Sequence, residues 1–572
     1  MATLDTLTLP ALLDYAAEAF KGTTALSRVS EGAISPAYEY GELLRDARRL
    51  ARLLIALKVK PGDRVMILCE NRPEWVSAYF GVALAGAVAV PVLVDFLPEQ
   101  IANVAEHAEL RVAFVSEKTL VKLDTLDSGI IRVLADSMDD AGIDLIDAGA
   151  RQRKAIAEDG AALPGYSALA EDLASVLYTS GTSGNSKGVM LSHGNIVSNV
   201  IATSQVFPLR ADDRVLSVMP LAHTLESTMG LLTPLYQGSA IFYLDKPPTA
   251  PVLAAALLAV KPTVMVIVPL IIEKLYRAKV EPKLRTHPLY RFAPTRALAV
   301  RAAGKKLEAA FGGAIRFLGI GGAALAKDVE RFLLGARFPY AIGYGLTETA
   351  PLVAAAVPGK TRLGSTGKPL NGVSVRIMPP LDAEHAGTVA ALGDDVEGEI
   401  QVRGPNVMRG YYRDSERSQA VFTADGWFRT GDLGAYDKDG MLFVKGRLKA
   451  MILGPSGENI YPEEIESTLA SSGLVEEALV YAAKDGALVA MVVLNERAKA
   501  LLNEAKAAVL DASRAAADET ERLLASLRSA TNARLASFSR IARIVLQEQP
   551  FEKTATMKIK RYLYPGLQAE IS

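Results

Sequence analysis

The 572-residue chain has a single cysteine, Cys69, which excludes a disulfide framework and any cysteine-built zinc site and suits a reducing, cytoplasmic compartment. It also lacks a dominant charge: 63 basic side chains are offset by 64 acidic ones, so no global field draws it to nucleic acid. The N-terminus has no basic region ahead of an apolar run and does not resemble a secretory signal. The uncharged stretches are interrupted. Residues 76–94 carry Gly81, Gly86 and Pro91 and predict a buried helix, a turn and a buried strand, while residues 252–272 are broken by Lys261 and Pro262. We therefore expect a soluble protein, with room for peripheral contact at the inner membrane face. No G-x-S-x-G elbow occurs, which argues against a serine hydrolase, and there are no internal repeats.

What the chain does have is alternation. Apolar residues at helical spacing over residues 9–21 and 40–57 predict amphipathic helices. Short apolar runs at VAFVS from 112 and IIRVLAD from 130 predict buried strands. Strands alternating with helices argue for parallel sheets covered on both faces, and this length calls for more than one domain. From 364 to 439 the pattern shifts to short alternating runs with Asp-Gly turns, predicting a small antiparallel sheet or distorted β-barrel. EEALVYA and ALVAMVVL give two later strands, and the Ala-rich residues 497–533 a helix pair.

The chemistry concentrates first in YTSGTSGNSKGVM, residues 178–190. An apolar run precedes it, a helix opens after Ser192, and between them the glycines allow inward-turned amides beside Thr179, Ser180, Thr182, Ser183 and Lys187. The spacing is not that of a P-loop, because Lys187 follows Ser186 and precedes Gly188. On composition alone it is equally a polar surface turn. Further on, His223 follows an apolar strand and precedes an apolar helix, a position where a packed structural histidine is common. Its neighbour Glu226 is compatible with a capping role. Gly319, Gly321 and Ala324 fit the loose dinucleotide fingerprint G-x-G-x-x-A, but the residues where the acidic ribose ligand should fall, YAIGYGLTE, predict a second glycine turn.

Taken together, YTSGTSGNSKGV at 178, YGLTETAP at 344, WFRTGDLG at 427, GRLKAMI at 446 and TATMKIKR at 554 resemble, in order, the signature segments of the adenylate-forming enzymes. That superfamily includes acyl-CoA synthetases, luciferases and adenylation domains; within it the chain looks most like the long-chain fatty acyl-CoA synthetases. The resemblance implies an α/β fold with a large N-terminal domain, residues 1–447, and a small mobile α+β C-terminal domain, residues 448–572. It implies ATP, Mg2+ and coenzyme A as co-substrates or cofactors and a medium- or long-chain fatty acid as substrate. A carrier protein in place of coenzyme A, or a non-catalytic acyl-nucleotide binder, are the alternatives.

The same resemblance distributes roles. Ser180, Gly181, Thr182, Ser183, Gly184 and Lys187 would cradle the β and γ phosphates, and Thr179 and Glu348 would hold magnesium through hard oxygens. Thr347 would hold the α-phosphate, and His223 would stand beside the substrate carboxylate. Gly321, Gly322 and Ala323 with Tyr344 and Gly345 would close over adenine. Asp432 and Arg447 would bind ribose. Lys558 would bridge carboxylate and phosphate, although Thr556 and Met557 stand where many members have Ser-Gly, which leaves Lys560 as the other candidate. Lys449 would be the pivot of the C-terminal domain, and Gly457 would line the channel for the thiol.

Overall fold

The computed structural model describes residues 4, 6–124, 129–147, 149–156, 166–179, 187–378, 397–453, 459–483, 486–507, 512–553 and 559–564. Ser180, Gly181, Thr182, Ser183, Gly184, Gly457 and Lys558 lie outside these residues, and for Lys449 only the backbone is described.

The predicted alternation becomes two nine-stranded sheets among the described residues. One runs Lys368–Pro369, Leu352–Ala355, Tyr340–Gly345, Phe317–Ile320, Val264–Ile267, Arg214–Ser217, Ala240–Leu244, Thr24–Ser30, Ala33–Glu39. The other runs Gly410–Tyr411, Lys187–Ser192, Leu173–Thr179, Val88–Pro91, Arg64–Leu68, Val112–Val115, Ile131–Leu134, Ile143–Asp147, Ala150–Lys154. Both are parallel at the centre, where strands such as Val264–Ile267 and Val112–Val115 are wholly buried, and antiparallel at their edges. Helices between the sheets share one core, to which Leu12, Trp75, Phe80, Val197, Leu231 and Val353 belong. Residues 76–94 resolve as expected into the end of the Pro73–Leu84 helix, a turn at Gly86 and the Val88–Pro91 strand. No helix among the described residues is long and apolar enough to cross a membrane.

Local sequence accounts for where the elements begin. Thr8 caps the Leu9–Ala19 helix by accepting from Ala11 N at 3.2 Å, with Pro10 in the first turn. Ser192 and Asn195 cap the His193–Val206 helix reciprocally, side chain to backbone, at 3.1 and 2.9 Å.

Three expectations need correction. The small antiparallel unit is an open sheet of four strands, Ser374–Met378, Gly398–Arg403, Phe428–Tyr436 and Leu442–Arg447, with no closure into a barrel among the described residues. The phosphate-loop segment does not lead straight into a helix. Lys187–Ser192 is a strand antiparallel to Leu173–Thr179, with Lys187 opposite Thr179, so residues 180–186 join two paired strands. Residues 340–345 are a buried strand rather than a glycine turn, and Gly319 lies inside the Phe317–Ile320 strand, where the dinucleotide fingerprint would need a turn.

Beyond residue 450 the chain builds a second core. Val475–Ala482, Leu488–Leu494 and Arg543–Leu546 form a three-stranded sheet covered by the Pro462–Ala470 and Ala512–Asn532 helices, and its buried residues, Ile460, Ile465, Leu469 and Val492 among them, belong to a cluster of their own.

Candidate active site

The two large sheets bring Lys187 and the Thr347–Thr349 turn of two signature segments to one place. Glu348 sits in the Thr347–Thr349 turn that follows the Tyr340–Gly345 strand. That turn is held tightly: Asn406 Nδ2 donates to Thr349 O at 2.9 Å and Leu352 O at 3.0 Å, Asn199 Nδ2 donates to Leu352 O at 2.7 Å, and Met408 N donates to Glu348 O at 2.8 Å. Gly345 is required here, because a Cβ would lie 1.9 Å from Pro351 O.

Across from the turn, Lys187 Nζ lies 2.6 Å from Glu348 Oε1 and 2.9 Å from the Tyr411 hydroxyl, which itself donates to Glu348 Oε1 at 3.0 Å. The ammonium also sits 4.6 Å from the centre of the Tyr411 ring. Burial alone would raise the Glu348 carboxyl, but Lys187 and the Tyr411 hydroxyl hold it below the usual carboxylate range, so it is ionised in the wall of the site. Thr179 Oγ1, at the end of the strand facing Lys187, is buried and has no hydrogen-bond partner among the described residues. A threonine hydroxyl awaiting a partner beside an ionised carboxylate and a lysine is a donor set for a hard cation and a polyphosphate.

A second corner is built by the four-stranded sheet, in which Asp432 pairs with Arg447 across adjacent strands. Arg447 Nε lies 2.8 Å from Asp432 Oδ1, and the Tyr344 hydroxyl donates to Oδ2 at 2.7 Å. Burial first, then the Asp432 charge, push the Tyr344 phenol far up, so it stays a donor. Tyr344 is buried and held by its hydroxyl edge. The Gly321–Ala323 turn follows the strand next to it, with Ile320 opposite Ile342, and a Cβ on Gly321 would touch Leu225 Cδ2 at 3.4 Å and Gly343 O at 3.6 Å.

Leu225 belongs to the third corner, the loop that carries His223. The backbone NH of His223 donates to Pro220 O at 2.9 Å, and its Nδ1 accepts from Leu225 N at 3.2 Å, which places the ring proton on Nε2 in the neutral form. Asn71, reaching over from the other large sheet, fixes the loop: its Oδ1 accepts from Leu221 N at 2.8 Å and its Nδ2 donates to Ser217 Oγ at 3.0 Å and Met219 O at 2.5 Å.

Glu226 opens a π-helix, Glu226–Leu232, and is not a cap. Its Oε1 accepts from Ser217 Oγ at 2.5 Å, its Oε2 is buried without a partner, and a Cβ at position 230 would fall 2.4 Å from Oε1, so Gly230 makes the space. Burial pushes the carboxyl up to about 8, with the Ser217 hydroxyl pulling slightly the other way.

The structure thus brings Thr179, Lys187, Thr347 and Glu348 together at the first corner, and Tyr344, Asp432 and Arg447 at the second, with His223 and the glycine turn connected through Leu225. Sequence reasoning passed over Tyr411, Asn71 and Ser217. A tyrosine on an apolar strand resembles core, and nothing in GYYRD marks its hydroxyl; only the pairing of Gly410–Tyr411 with Lys187–Ser192 reveals it.

A long-chain-fatty-acid–CoA ligase of Mycobacterium tuberculosis is 30% identical over 560 residues, covering 91% of this chain and 89% of that protein. A feruloyl-CoA synthase of an Amycolatopsis species is 31% identical over 463 residues, covering 78% of this chain and 81% of that protein. The solved structure of the Bacillus subtilis o-succinylbenzoate CoA synthetase with its acyl-adenylate intermediate superposes with a TM-score of 0.72 at 24% identity, covering 96% of each chain, a likeness of fold. The profile of the AMP-binding enzymes matches residues 13–412, and the chain belongs to that family.

Proposed function

We propose that this site joins a medium- or long-chain fatty acid to coenzyme A in two steps. The carboxylate oxygen attacks the α-phosphorus of ATP and pyrophosphate leaves, giving an acyl adenylate. The thiol of coenzyme A then attacks the acyl carbon, loses its proton, and expels AMP. The chain is an AMP-forming acid–thiol ligase, and the observation that carries this reading is the convergence of Lys187, Glu348 and Thr179 beside the Tyr344–Asp432–Arg447 corner. The chemistry needs alignment and charge neutralisation more than it needs a nucleophile.

In this reading Lys187 neutralises the polyphosphate, Thr347 holds the α-phosphate, and Asp432, already oriented by Arg447 and Tyr344, accepts the ribose hydroxyls on its remaining lone pairs. His223, donating from Nε2, stands beside the carboxylate. The buried Thr179 hydroxyl and the ionised Glu348 fit a magnesium ion, which when bound supplies charge neutralisation at the β and γ phosphates. The domain boundary is placed at residues 447 and 448, supported by the separate core beyond it. Lys449 is the proposed pivot that presents Lys558 for the first step and Gly457 for the second. Peripheral membrane contact is part of the proposal; the exposed Phe292 and Leu298, flanked by Arg296 and Arg301, support it, and co-sedimentation with vesicles tests it.

The test is AMP release from magnesium-ATP with a panel of acids, with and without coenzyme A. The panel includes saturated chains of graded length and hydroxycinnamates, the latter because of the feruloyl-CoA synthase relative. Turnover that needs coenzyme A and peaks with a fatty chain is the expected result. AMP release independent of coenzyme A points to an adenylating enzyme that serves a carrier protein, and no release with any acid points to a binding module. Lys558→Ala should abolish adenylate formation while sparing thioester formation from pre-made acyl adenylate. Equal loss of both steps transfers the role to Lys560.

A further inference from the structure

The cation assigned to the polyphosphate and the carboxylate assigned to the metal hold each other. Lys187 Nζ is 2.6 Å from Glu348 Oε1, and the Tyr411 hydroxyl bridges the pair, accepting from the ammonium at 2.9 Å and donating to the carboxylate at 3.0 Å. The Tyr411 ring lies against the same ammonium, 4.6 Å from its centre. Glu348 is 6% exposed, so this is not a solvent-screened surface pair.

We propose that this triangle makes nucleotide binding depend on a divalent cation: Glu348 is an internal counter-ion that competes with the polyphosphate for Lys187, and Tyr411 is the positioning residue that holds the two together. The inference rests on the nucleotide reading of the site and goes beyond it. A polyphosphate arriving alone has to draw Lys187 away, which takes from a buried, ionised carboxylate its nearest counter-charge. Removing one partner of a buried pair is strongly unfavourable because the other charge is left uncompensated. A polyphosphate arriving with a divalent cation imposes no such penalty: Lys187 exchanges a carboxylate for phosphate, and Glu348 exchanges an ammonium for the metal. Tyr411 keeps its donor on Glu348 in both states, since its hydroxyl already lies 3.0 Å from Oε1. The site would in this way reject free ATP through a contact that exists before any nucleotide enters.

The experiment is calorimetric titration of ATP into the full chain without any acid, so that no turnover occurs, in magnesium and in excess EDTA. Wild type is compared with Glu348→Gln and Tyr411→Phe, and melting curves verify that each variant folds. Wild type should bind in magnesium and much more weakly in EDTA. Glu348→Gln should bind metal-free ATP about tenfold tighter than wild type does, because Lys187 is released from its counter-ion, while gaining little from magnesium. Tyr411→Phe should bind metal-free ATP about threefold tighter and show a smaller magnesium effect than wild type. A clamp that is only structural predicts the opposite sign, weaker binding in every condition. The proposal is overturned if Glu348→Gln binds metal-free ATP no tighter than wild type, and Tyr411 is removed from it if Tyr411→Phe keeps the wild-type ratio between the two conditions. Should Glu348→Gln not fold, Tyr411→Phe decides alone. No ATP binding by wild type in either condition would instead sink the nucleotide reading itself.

Discussion

Two glutamates lie in the walls of this site, nearly equally hidden, and the structure leaves one charged and the other neutral. Glu348 is 6% exposed and ionised; Glu226 is 1% exposed and neutral at pH 7. Burial disfavours the charge on both. What differs is the partner: Glu348 meets an ammonium at 2.6 Å, Glu226 only the Ser217 hydroxyl at 2.5 Å. The contrast teaches that at these two walls the nearest counter-charge, and not the depth, decides protonation, so the Lys187 corner is electrostatically loaded while the π-helix corner is a polar knot without charge.

The comparison breaks hardest at Glu348. Glu348→Gln should lower acyl-adenylate formation at ordinary magnesium by on the order of 10²- to 10³-fold, measured as acid-dependent pyrophosphate release; an unchanged rate and magnesium dependence would remove Glu348 from the metal site. Next is Lys187→Met, which turns Glu348 into a second Glu226. In wild type the depressed Glu348 carboxyl contributes stability above its unfolded pKa, lost as pH falls. Without Lys187 the carboxyl shifts up, the contribution reverses sign, and the variant should lose about 3 kcal/mol at pH 8 and far less at pH 5, read from urea midpoints.

Glu226→Gln sharpens the other side. A carboxyl raised to about 8 binds a proton in the folded state that the unfolded chain has released above its ordinary value near 4.5, so wild-type stability falls as pH rises through that interval. The amide cannot ionise, and the variant should be more stable than wild type by about 2 kcal/mol at pH 6 with no gain at pH 4; equal midpoints at both values would contradict the assignment. The smallest effect is Ser217→Ala. Losing the one hydrogen bond to Glu226 should destabilise by about 1 kcal/mol and move the pH midpoint of the stability curve upward, because that bond favours the ionised form.

The same two corners show how far the sequence was legible. Period-2 and period-3.6 patterns located elements such as the Val112–Val115 and Ile131–Leu134 strands and the helix after Ser192, and the signature segments named Lys187, Glu348, Asp432 and Arg447 before any coordinates. The π-helix was not legible, because an uncharged run such as STMGLL, buried throughout, carries no solvent face from which 3.6 residues per turn can be told from a wider helix. Glu226 was underrated for the same reason, since its Ser217 partner lies on a neighbouring strand. Tyr411 was missed because its meaning is long-range: it stands 63 residues from Glu348 and 224 from Lys187, and no local rule connects those positions. The strand starting at Lys187 was hidden by the glycines and hydroxyls before it, which suggested a loop leading directly to a helix.

The two-residue strand Gly410–Tyr411 has a consequence for how the protein is made. It clips onto Lys187–Ser192 with Tyr411 opposite Val189 and Gly410 opposite Met190, reinforced by Tyr412 N donating to Gly188 O at 2.7 Å. On the ribosome Lys187 and Tyr411 are separated by 224 positions, roughly ten to forty-five seconds of elongation. During that interval the first large sheet gains its strands from Arg214–Ser217 through Lys368–Pro369, the other strands of the second sheet having been made already, and the lysine and glutamate emerge before the tyrosine does. The latch over the phosphate corner is therefore a late arrival in synthesis, and a chain interrupted shortly before residue 410 would hold most of the sheet architecture yet lack the piece that completes the corner.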